Sequence, residues 1–306
     1  MLRAGKELLA KNRFDLIVST SGPDMCPMVG AGLARSAGVK WLSDYRDLWF
    51  DEFAVNRYAL TTWFVNRLQS GLIRRADVVS TVSDGLASYI ERIAPGKVLV
   101  CYNGYLGAVA ATPAAQEGGT LRLVYTGTFY PAKRDPAGFF DGLALLAQRS
   151  PQLAARIHVD FYGPAEEWVR AQVRERTLEA RVTFHGGVPY AESLVAQSTA
   201  KLLLFIDWMD DRADGVLTSK LFEYLASGRP ILCFGNRVNT EAARIILDCN
   251  AGRIAINAQG VAEMLAEALQ GAWETAPDMP RIRSFSRRAQ AELLLAAAGA
   301  RVGLWV

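Results

Sequence analysis

Short apolar runs alternate with longer amphipathic stretches along most of this 306-residue chain. The runs are strand-length and rich in β-branched or aromatic residues, and most of the stretches between them have helical periodicity. Because runs that are apolar on both faces are typical of strands covered by helices, the pattern predicts an α/β fold with parallel sheets. The predicted strands are 15–20, 39–43, 77–82, 97–101, 121–126, 157–162, 181–184, 201–206, 230–234 and 253–256. The predicted helices include 57–74, 84–93, 136–149, 165–178, 219–227, 260–272 and 284–300.

One segment follows neither period and divides the chain. Residues 106–119, LGAVAATPAAQEGG, are rich in Ala, Gly and Pro, which is typical of a linker. Each side has its own strand–helix series, so we predict two Rossmann-like, doubly wound domains at 1–105 and 120–280. The remaining segment, 281–306, contains a C-terminal helix that is a candidate to pack back on the first domain.

Composition and charge exclude several classes of protein. With 51% hydrophobic residues the chain has ample material for a core, which argues against disorder, and a net charge of +3 is too small to indicate nucleic-acid binding. Four widely spaced cysteines and two histidines favour neither a disulfide framework nor a zinc site. The apolar runs are too short for a membrane span, and the N-terminus is unlike a signal peptide, so we expect a cytoplasmic protein.

Candidate chemistry is concentrated in residues 214–230, DGVLTSKLFEYLASGRP. They follow a predicted strand and open a helix capped by Thr218 or Ser219. A helix N-terminus suits a phosphate, Lys220 adds a cation, and Glu223 is placed one turn on to accept hydrogen bonds from ribose hydroxyls. The alternative is an ordinary capped helix with a surface lysine and glutamate. A carboxylate in an otherwise apolar helix favours the functional interpretation.

The run KLFEYLASGRPIL resembles the donor-binding signature of glycosyltransferases with the GT-B architecture, particularly family 4. The resemblance implies that Glu223 binds the ribose of a nucleotide-sugar donor. A second glutamate of that family contacts the donor sugar, and Gly215 stands at its position here. Asp214 or nearby main-chain amides are therefore expected to take that role. The loop and helix start that the resemblance assigns to the donor diphosphate are Gly215, Val216, Leu217, Thr218 and Ser219.

Two further segments resemble the same family. Residues 123–136, LVYTGTFYPAKRDP, are similar to the strand and glycine turn that open its second domain. There Gly127 and Thr128 let the backbone approach a ligand closely, and Lys133 and Arg134 are candidate cations for the pyrophosphate. The alternative for these two cations is a solvated loop pair.

A first-domain segment, SDYRDLW at 43–49, resembles the DxRDxW of these enzymes on the acceptor side. Asp44, Arg46 and Asp47 are thereby candidates to bind the acceptor or to hold the cleft between the domains. An ion pair between Arg46 and a buried aspartate is an equally good structural explanation.

The resemblance also leads us to expect an incomplete first domain. First domains of the family begin with a strand and a glycine-rich loop, whereas this sequence begins with an amphipathic helix carrying Leu2, Leu8 and Leu9. We therefore expect about four strands in the first sheet and an exposed edge, which a dimer or another partner could cover.

The resemblance predicts a retaining, metal-independent glycosyltransferase of polysaccharide biosynthesis with no bound cofactor. The donor would be a UDP-, GDP- or dTDP-sugar and the acceptor a glycan or lipid-linked molecule. Lys133, Arg134 and Lys220 would neutralise the leaving diphosphate, and domain closure would exclude water. Four aromatic residues permit peripheral contact with the inner face of a membrane. These are Trp49, Phe50, Trp63 and Phe64.

Three alternatives remain open from the residues. The first is a metal site at the aspartates of 207–214, which resemble the Asp-x-Asp of GT-A transferases. We interpret them instead as a solvated loop and expect no metal. The second is a sugar-nucleotide epimerase, which two histidines make the weaker choice. The third is a binding or scaffold subunit that has lost catalysis.

Overall fold

A computed structural model describes residues 1–22, 25–47, 59–107, 119–164, 166–210, 215–271, 273 and 275–304. Up to residue 107 the elements are α1 (Leu2–Lys11), β1 (Leu16–Ser21), α2 (Cys26–Ala37), β2 (Lys40–Tyr45), α3 (Ala59–Arg75), β3 (Val78–Thr81), α4 (Asp84–Ile93) and β4 (Val98–Val100). From residue 119 they are β5 (Leu121–Thr126), α5 (Ala137–Arg149), α6 (Pro151–Ala154), β6 (Ile157–Tyr162), α7 (Glu167–Glu175), a 3₁₀ turn (Glu179–Arg181), β7 (Val182–Gly186), α8 (Tyr190–Ser198), β8 (Leu202–Ile206), α9 (Ser219–Ala226), β9 (Ile231–Phe234), α10 (Glu241–Asp248), β10 (Gly252–Ala255), α11 (Ala258–Leu269), α12 (Met279–Ser284) and α13 (Arg287–Val302).

These elements form two compact units. Unit 1 consists of 1–103, 212–216 and 287–306, and unit 2 of 104–211 and 217–286. The chain thus leaves unit 1 near residue 104 and returns to it with α13. Of the predicted linker 106–119, residues 108–118 lie outside the described part of the chain.

Unit 1 is built on a parallel sheet with the strand order β1-β2-β3-β4. Strands β2 and β3 are buried on both faces, apart from Lys40 at the start of β2, as expected for a sheet covered by helices on both sides. Trp41, Tyr45 and Ile73 form the core of one face, while Ala298 of α13 packs with Leu42 and Val78 in a separate cluster. Within the described residues the sheet has four strands, the number expected from the sequence.

Unit 2 is built on a six-stranded parallel sheet with the order β10-β9-β8-β5-β6-β7. Strands β6 and β7 follow β5 on one side, and the chain then crosses back to place β8, β9 and β10 on the other. The strand order therefore reverses between β5 and β8. In open α/β sheets, ligands bind outside the carboxyl ends of the strands at such a reversal.

The predicted fold class, an α/β chain with two doubly wound parallel sheets, is confirmed. Each of the ten predicted strands is present within two residues at either end. Helices α2, α8 and α10 were not among those predicted, and the helix predicted at 284–300 begins at Arg287. Among the described helices, none combines the length and the apolar character needed to span a membrane.

Candidate functional site

A pocket of about 500 Å³ lies at the carboxyl ends of β5, β6 and β7 in unit 2, next to the start of α9. Its volume is in the range of small-molecule sites. Lysine, arginine and glutamate side chains share its wall with aromatic rings and glycines. The lining residues are Thr126, Gly127, Thr128, Tyr130, Arg134, Tyr162, Gly163, Pro164, Gly187, Val188, Tyr190, Ser193, Thr218, Ser219, Lys220 and Glu223.

Two glycines bring strand ends into backbone contact beside the pocket. Gly127 follows β5 and Gly163 follows β6, with φ angles of +122° and +140° that disfavour other residues. A Cβ atom on Gly163 would lie 2.2 Å from the carbonyl oxygen of Gly127. A Cβ atom on Gly127 would lie 3.3 Å from Nζ of Lys220. The glycines therefore keep this end of the sheet open to a ligand.

Lys220 is a buried cation in the first turn of α9. It is 8% exposed, and its Nζ has no hydrogen-bond partner among the described residues. The ammonium lies 3.9 Å from the ring centroid of Tyr125, which offsets part of the cost of burial. Burial lowers the pKa of Lys220 well below its usual 10.5, and the charge of Arg134 lowers it further against the opposing effect of Glu223. An anion in the pocket would restore the charged form.

Arg134 is a second buried cation in the same pocket. It is 5% exposed, and its guanidinium carbon lies 5.4 Å from the ring centroid of Trp208 and 5.8 Å from that of Tyr130. In the part of the chain that the structure describes, neither Nε of Arg134 nor the hydroxyl of Thr218 has a hydrogen-bond partner. Thr218 occupies the N-cap position of α9 with extended dihedral angles, but its side chain makes no capping bond. Buried donors without partners are unfavourable, so this wall of the pocket is suited to an anion with several acceptor oxygens.

Glu223 lies one turn after Lys220 and holds a fixed orientation. The Tyr190 hydroxyl donates to its Oε1 at 3.1 Å, and the Gln197 amide donates to its Oε2 at 3.3 Å. Each carboxylate oxygen accepts more than one hydrogen bond, so both can still accept hydroxyl groups of a ligand. The pocket therefore pairs an anion-binding wall with a neighbouring acceptor of vicinal hydroxyls.

The structure brings together seven of the residues predicted for donor binding. Lys133 is not among the lining residues, and its Nζ lies 5.4 Å from the ring centroid of Trp208. Leu217 is buried in unit 2, Val216 belongs to unit 1, and Asp214 lies outside the described residues. The seven that line the pocket are Gly127, Thr128, Arg134, Thr218, Ser219, Lys220 and Glu223.

Gly215, which stands where the related family has a glutamate, is closely packed within unit 1. Its φ is +94°, and a Cβ atom would lie 2.7 Å from both Cα of Gly85 and Oγ of Ser83. A glutamate at this position would thus need the backbone near Gly85 to move. The residues around Gly215 therefore leave no room for the glutamate that the related family has at this position.

The predicted acceptor-side residues lie at the end of β2 in unit 1. Arg46 Nε donates to Asp44 Oδ2 at 2.7 Å, and Ser80 Oγ donates to Asp44 Oδ1 at 2.7 Å. The ion pair between Arg46 and a buried aspartate, the structural explanation given for this motif from the sequence, is therefore present. Asp47 differs in that its side chain is exposed, and its carbonyl oxygen accepts from Ser21 Oγ at 3.2 Å.

Sequence reasoning missed the part of the pocket contributed by the strand ends beyond β5. The sequence does contain a signal for these positions, because the loops after β6 and β7 carry glycines that let a ligand approach the carboxyl ends of the strands. Neither loop contributes a charged residue to the lining, so nothing in them indicated particular chemistry. The lining residues that were not predicted as site residues are Thr126 and Tyr130 at and after the end of β5, Tyr162, Gly163 and Pro164 at and after the end of β6, Gly187 and Val188 after β7, and Tyr190 and Ser193 of α8.

The aspartate-rich segment 207–214 is only partly described. Asp207 is buried, which differs from the solvated loop predicted for this segment. Its two carboxylate oxygens accept hydrogen bonds from the backbone N–H of Trp208 and the hydroxyl of Thr240, and burial raises the pKa of this carboxyl group. Asp211 and Asp214 lie outside the described residues. Within those that are described, no three His, Cys, Asp or Glu side chains are grouped in a way that could hold a metal ion.

Comparison with known proteins agrees with the fold. Residues 1–104 match the family model of the glycosyl transferase 4-like domain. Among curated protein sequences there is no match. The fold resembles that of HepE from Anabaena, solved in complex with UDP and glucose, with a TM-score of 0.69 and 14% identity over 97% of this chain and 80% of that one.

Two further solved structures share the fold. Sucrose-phosphate synthase from Thermosynechococcus elongatus matches with a TM-score of 0.64 and 17% identity, covering 99% of this chain and 78% of that one. WaaB, a lipopolysaccharide outer core galactosyltransferase, matches with a TM-score of 0.63 and 15% identity, covering 98% of this chain and 79% of that one. The resemblance stated from the sequence is thereby confirmed at the level of the fold.

Proposed function

We propose that this chain is a glycosyltransferase that uses a nucleotide-sugar donor. It has the GT-B fold, and its first third matches a glycosyl transferase 4-like domain. The observation that carries this proposal is the pocket of unit 2, which Lys220, Arg134 and the Glu223 carboxylate line together. Lys220 lies one helical turn before Glu223, and within the described residues Nζ of Lys220 and Nε of Arg134 are buried donors without a partner. Support also comes from HepE, of the same fold, which has been solved with UDP and glucose and with UDP-glucose.

In this proposal Lys220 and Arg134 bind the donor diphosphate. When the bond between the sugar and the β-phosphate breaks, negative charge develops on the leaving oxygen. Two cations in a site of low dielectric stabilise that charge more strongly than they would in water. The N-terminus of α9 and the nearby Lys133 add to the same field.

Glu223 is proposed to bind the ribose. A carboxylate can accept hydrogen bonds from two vicinal hydroxyls, and charge-assisted bonds of this kind are stronger than neutral ones. Lys220 and Glu223 are one turn apart on α9. The diphosphate would therefore bind beside Lys220 and the nucleoside beside Glu223. The base would then lie toward Val188, in the loop after β7, and Tyr190, at the start of α8.

The reaction proposed is a transfer with retention at the anomeric carbon. The acceptor oxygen bonds to that carbon as the bond to the β-phosphate breaks, and the acceptor proton passes to an oxygen of the departing diphosphate. No side-chain nucleophile is required. Charge neutralisation comes from Lys220 and Arg134, so we propose a reaction that does not need a bound metal ion. The acceptor would be a glycan or lipid-linked molecule, with the exposed Asp47 as the acceptor-side residue and Arg46–Asp44 holding the end of β2.

Thermal-shift measurements with UDP, GDP, ADP and dTDP test the donor site. We expect at least one of them to stabilise the protein. Glu223→Ala should weaken binding of UDP, GDP or ADP, whichever binds, roughly tenfold or more, because the hydrogen bonds from the two ribose hydroxyls to the charged carboxylate are lost; dTDP, which lacks the 2′-hydroxyl, should be affected less. Glu192→Ala, on the exposed face of α8, is the matched control and should bind normally. No shift with any of the four nucleotides would contradict the proposal.

Product analysis separates the alternative enzymes. A glycosyltransferase releases the nucleoside diphosphate in an acceptor-dependent way, whereas an epimerase converts one sugar nucleotide into another without acceptor. Nucleotide binding with neither reaction across a panel of sugar nucleotides and acceptors would indicate a binding subunit.

Helix α3 provides a surface that suits peripheral membrane contact for a lipid-linked acceptor. Of the four aromatic residues predicted for this contact, Trp49 and Phe50 lie outside the described residues. Trp63 and Phe64 are 62% and 61% exposed, and Arg67, Arg74 and Arg75 lie on the same helix. Aromatic rings insert at the lipid interface while arginines attract anionic headgroups. We expect Trp63→Ser with Phe64→Ser to reduce co-sedimentation with vesicles containing anionic phospholipid, and Phe14→Ser, another exposed aromatic of unit 1, to leave it unchanged. Equal sedimentation of all variants would argue against this contact.

A further inference from the structure

Gln197 lies behind the pocket and belongs to no segment that the sequence motifs marked. It is on α8, is 1% exposed and does not line the pocket itself. Its Nε2 lies 3.3 Å from Oε2 of Glu223 and 3.1 Å from Oγ1 of Thr126. The side chain therefore joins the pocket carboxylate on α9 to the end of β5.

The orientation of the Gln197 amide follows from its neighbour. A carboxylate only accepts hydrogen bonds, so the NH₂ group must face Glu223, and both of its protons are then used. The amide oxygen Oε1 is buried and, within the described residues, has no partner. Because a buried acceptor without a partner is unfavourable, an apolar side chain of similar shape would serve packing better. What a glutamine adds here over an apolar side chain is the pair of hydrogen bonds that it donates to Glu223 and Thr126.

The partners of Gln197 are themselves fixed. The backbone N–H of Thr126 donates to the hydroxyl of the buried Tyr224 at 2.8 Å, which ties this strand end to α9. Thr126 immediately precedes Gly127, at the turn that lines the pocket. On the outer side, the Tyr190 hydroxyl donates to the other oxygen of Glu223. The carboxylate is held from both sides, and Gln197 supplies the buried contact.

We propose that Gln197 is a positioning residue that orients the Glu223 carboxylate toward the ribose diol of the donor, so that it sets the preference for ribonucleotides over deoxyribonucleotides. This inference rests on the proposed function, since it needs a nucleotide in the pocket. Without the amide, the carboxylate loses its buried donor and is free to turn away from the two hydroxyls. Contacts to the diphosphate, made by Lys220 and Arg134, do not depend on Gln197.

Calorimetric titration of the full chain with UDP, 2′-deoxy-UDP and 3′-deoxy-UDP tests the proposal, with the GDP series used where GDP binds more tightly. The wild type should bind the ribonucleotide more tightly than either deoxy analogue. In Gln197→Met, which keeps the side-chain volume, we expect the affinity for UDP to fall roughly tenfold. The analogues should change little, so the preference for the ribonucleotide is largely lost.

Gln172→Met is the matched control. Gln172 is another glutamine of unit 2 whose amide donates to a carboxylate, Asp135 Oδ1 at 3.0 Å, and whose Oε1 is buried without a partner in the described part of the chain. This variant should retain both the affinity and the preference of the wild type. If Gln197→Met does not fold, Gln197→Glu, which exchanges the donor for an acceptor at nearly constant volume, should give the same pattern of binding.

Four results would overturn the inference. An unchanged UDP affinity in Gln197→Met would do so, as would an equal loss for all three nucleotides, which a merely structural role predicts. Failure of both Gln197 variants to fold would make the residue structural. A wild type that binds UDP and its deoxy analogues equally well would remove the ribose role of Glu223 as well. Absence of binding of UDP, GDP, ADP and dTDP by the wild type would instead count against the proposed function itself.

Discussion

Burial of Lys220 lowers the stability of the ligand-free protein but places a cation where the proposed donor diphosphate would bind. The ammonium group has lost its hydration, and its contact with the Tyr125 ring replaces only part of it. Because its pKa is lowered on folding, the folded state binds fewer protons than the unfolded state at pH values between the lowered pKa and the usual 10.5. Stability must therefore rise with pH across that interval. In the sequence this lysine could not be distinguished from a surface residue of a capped helix.

We predict that Lys220→Met stabilises the ligand-free protein at pH 7 and abolishes its stabilisation by nucleotide. Replacement of a buried amino group that has no hydrogen-bond partner among the described residues by an apolar side chain of similar length is expected to add about 1–3 kcal/mol to the free energy of unfolding. The variant should also lack the part of the pH dependence that Lys220 causes. Denaturant unfolding at pH 7 and pH 9, with and without UDP, measures both effects. Lys201→Met, at the start of β8, is the control, and lower stability of Lys220→Met would contradict the prediction.

At the scale of elements, the site depends on the close approach of strand ends. Gly163→Ala would place Cβ 2.2 Å from the carbonyl oxygen of Gly127 at a φ of +140°, which forces the carboxyl ends of β5 and β6 apart. We predict a loss of stability on the order of 3 kcal/mol and, in protein that is still folded, loss of nucleotide affinity.

Gly252→Ala provides the matched control for that prediction. Its Cβ would lie 2.1 Å from the carbonyl oxygen of Ile231, so the collision is as severe. However, Gly252 and Ile231 begin β10 and β9, at the amino ends of strands rather than at the carboxyl ends where the pocket lies. The variant should lose stability but keep its nucleotide affinity, as measured by chemical denaturation and by titration well below the unfolding temperature. Equal affinity losses in both variants would show that the strand ends are not specifically required.

The sequence predicts well those elements whose burial produces a recognisable local pattern of apolar residues. Strands such as β8, which is buried along its whole length, appear as uninterrupted apolar runs. Helix α2 does not, because Pro27, Gly30 and Gly32 obscure the helical pattern. Gly30 is nevertheless required, since a Cβ atom there would meet the Ser19 and Trp41 side chains at 2.6–2.7 Å.

The same limit applies to the candidate site. Lys220 and Glu223 share one helix, so their spacing is readable from a single segment. Gln197 reaches Glu223 from α8, across 26 residues of sequence, and only the tertiary fold brings the two together. Nothing about a glutamine in a short helix indicates that it will be buried against a carboxylate. The motif thus predicted the groups that would touch a ligand but not the groups that hold them.

At the scale of the whole chain, α13 completes unit 1 from the far end of the sequence. Gln290 Oε1 accepts from the backbone N–H of Tyr102 at 2.8 Å, and Arg301 Nη1 donates to the carbonyl oxygens of Gly96 and Val98. Between these polar contacts, Ala298 is fully buried in the cluster with Leu42 and Val78. The first sheet therefore has part of one face covered by a helix that follows unit 2 in the sequence.

Ala298→Asp tests this dependence. A carboxylate placed against Leu42 and Val78 has no partner in that cluster, so we expect the free energy of unfolding of unit 1 to fall by about 3 kcal/mol or more. Hydrogen exchange should accelerate in the peptides of β2 and β3, while the nucleotide affinity of unit 2 stays unchanged. Ala300→Asp, two residues further along α13 and exposed, should exchange like the wild type. Unaltered protection of β2 and β3 in Ala298→Asp would mean that the first sheet is stable without α13.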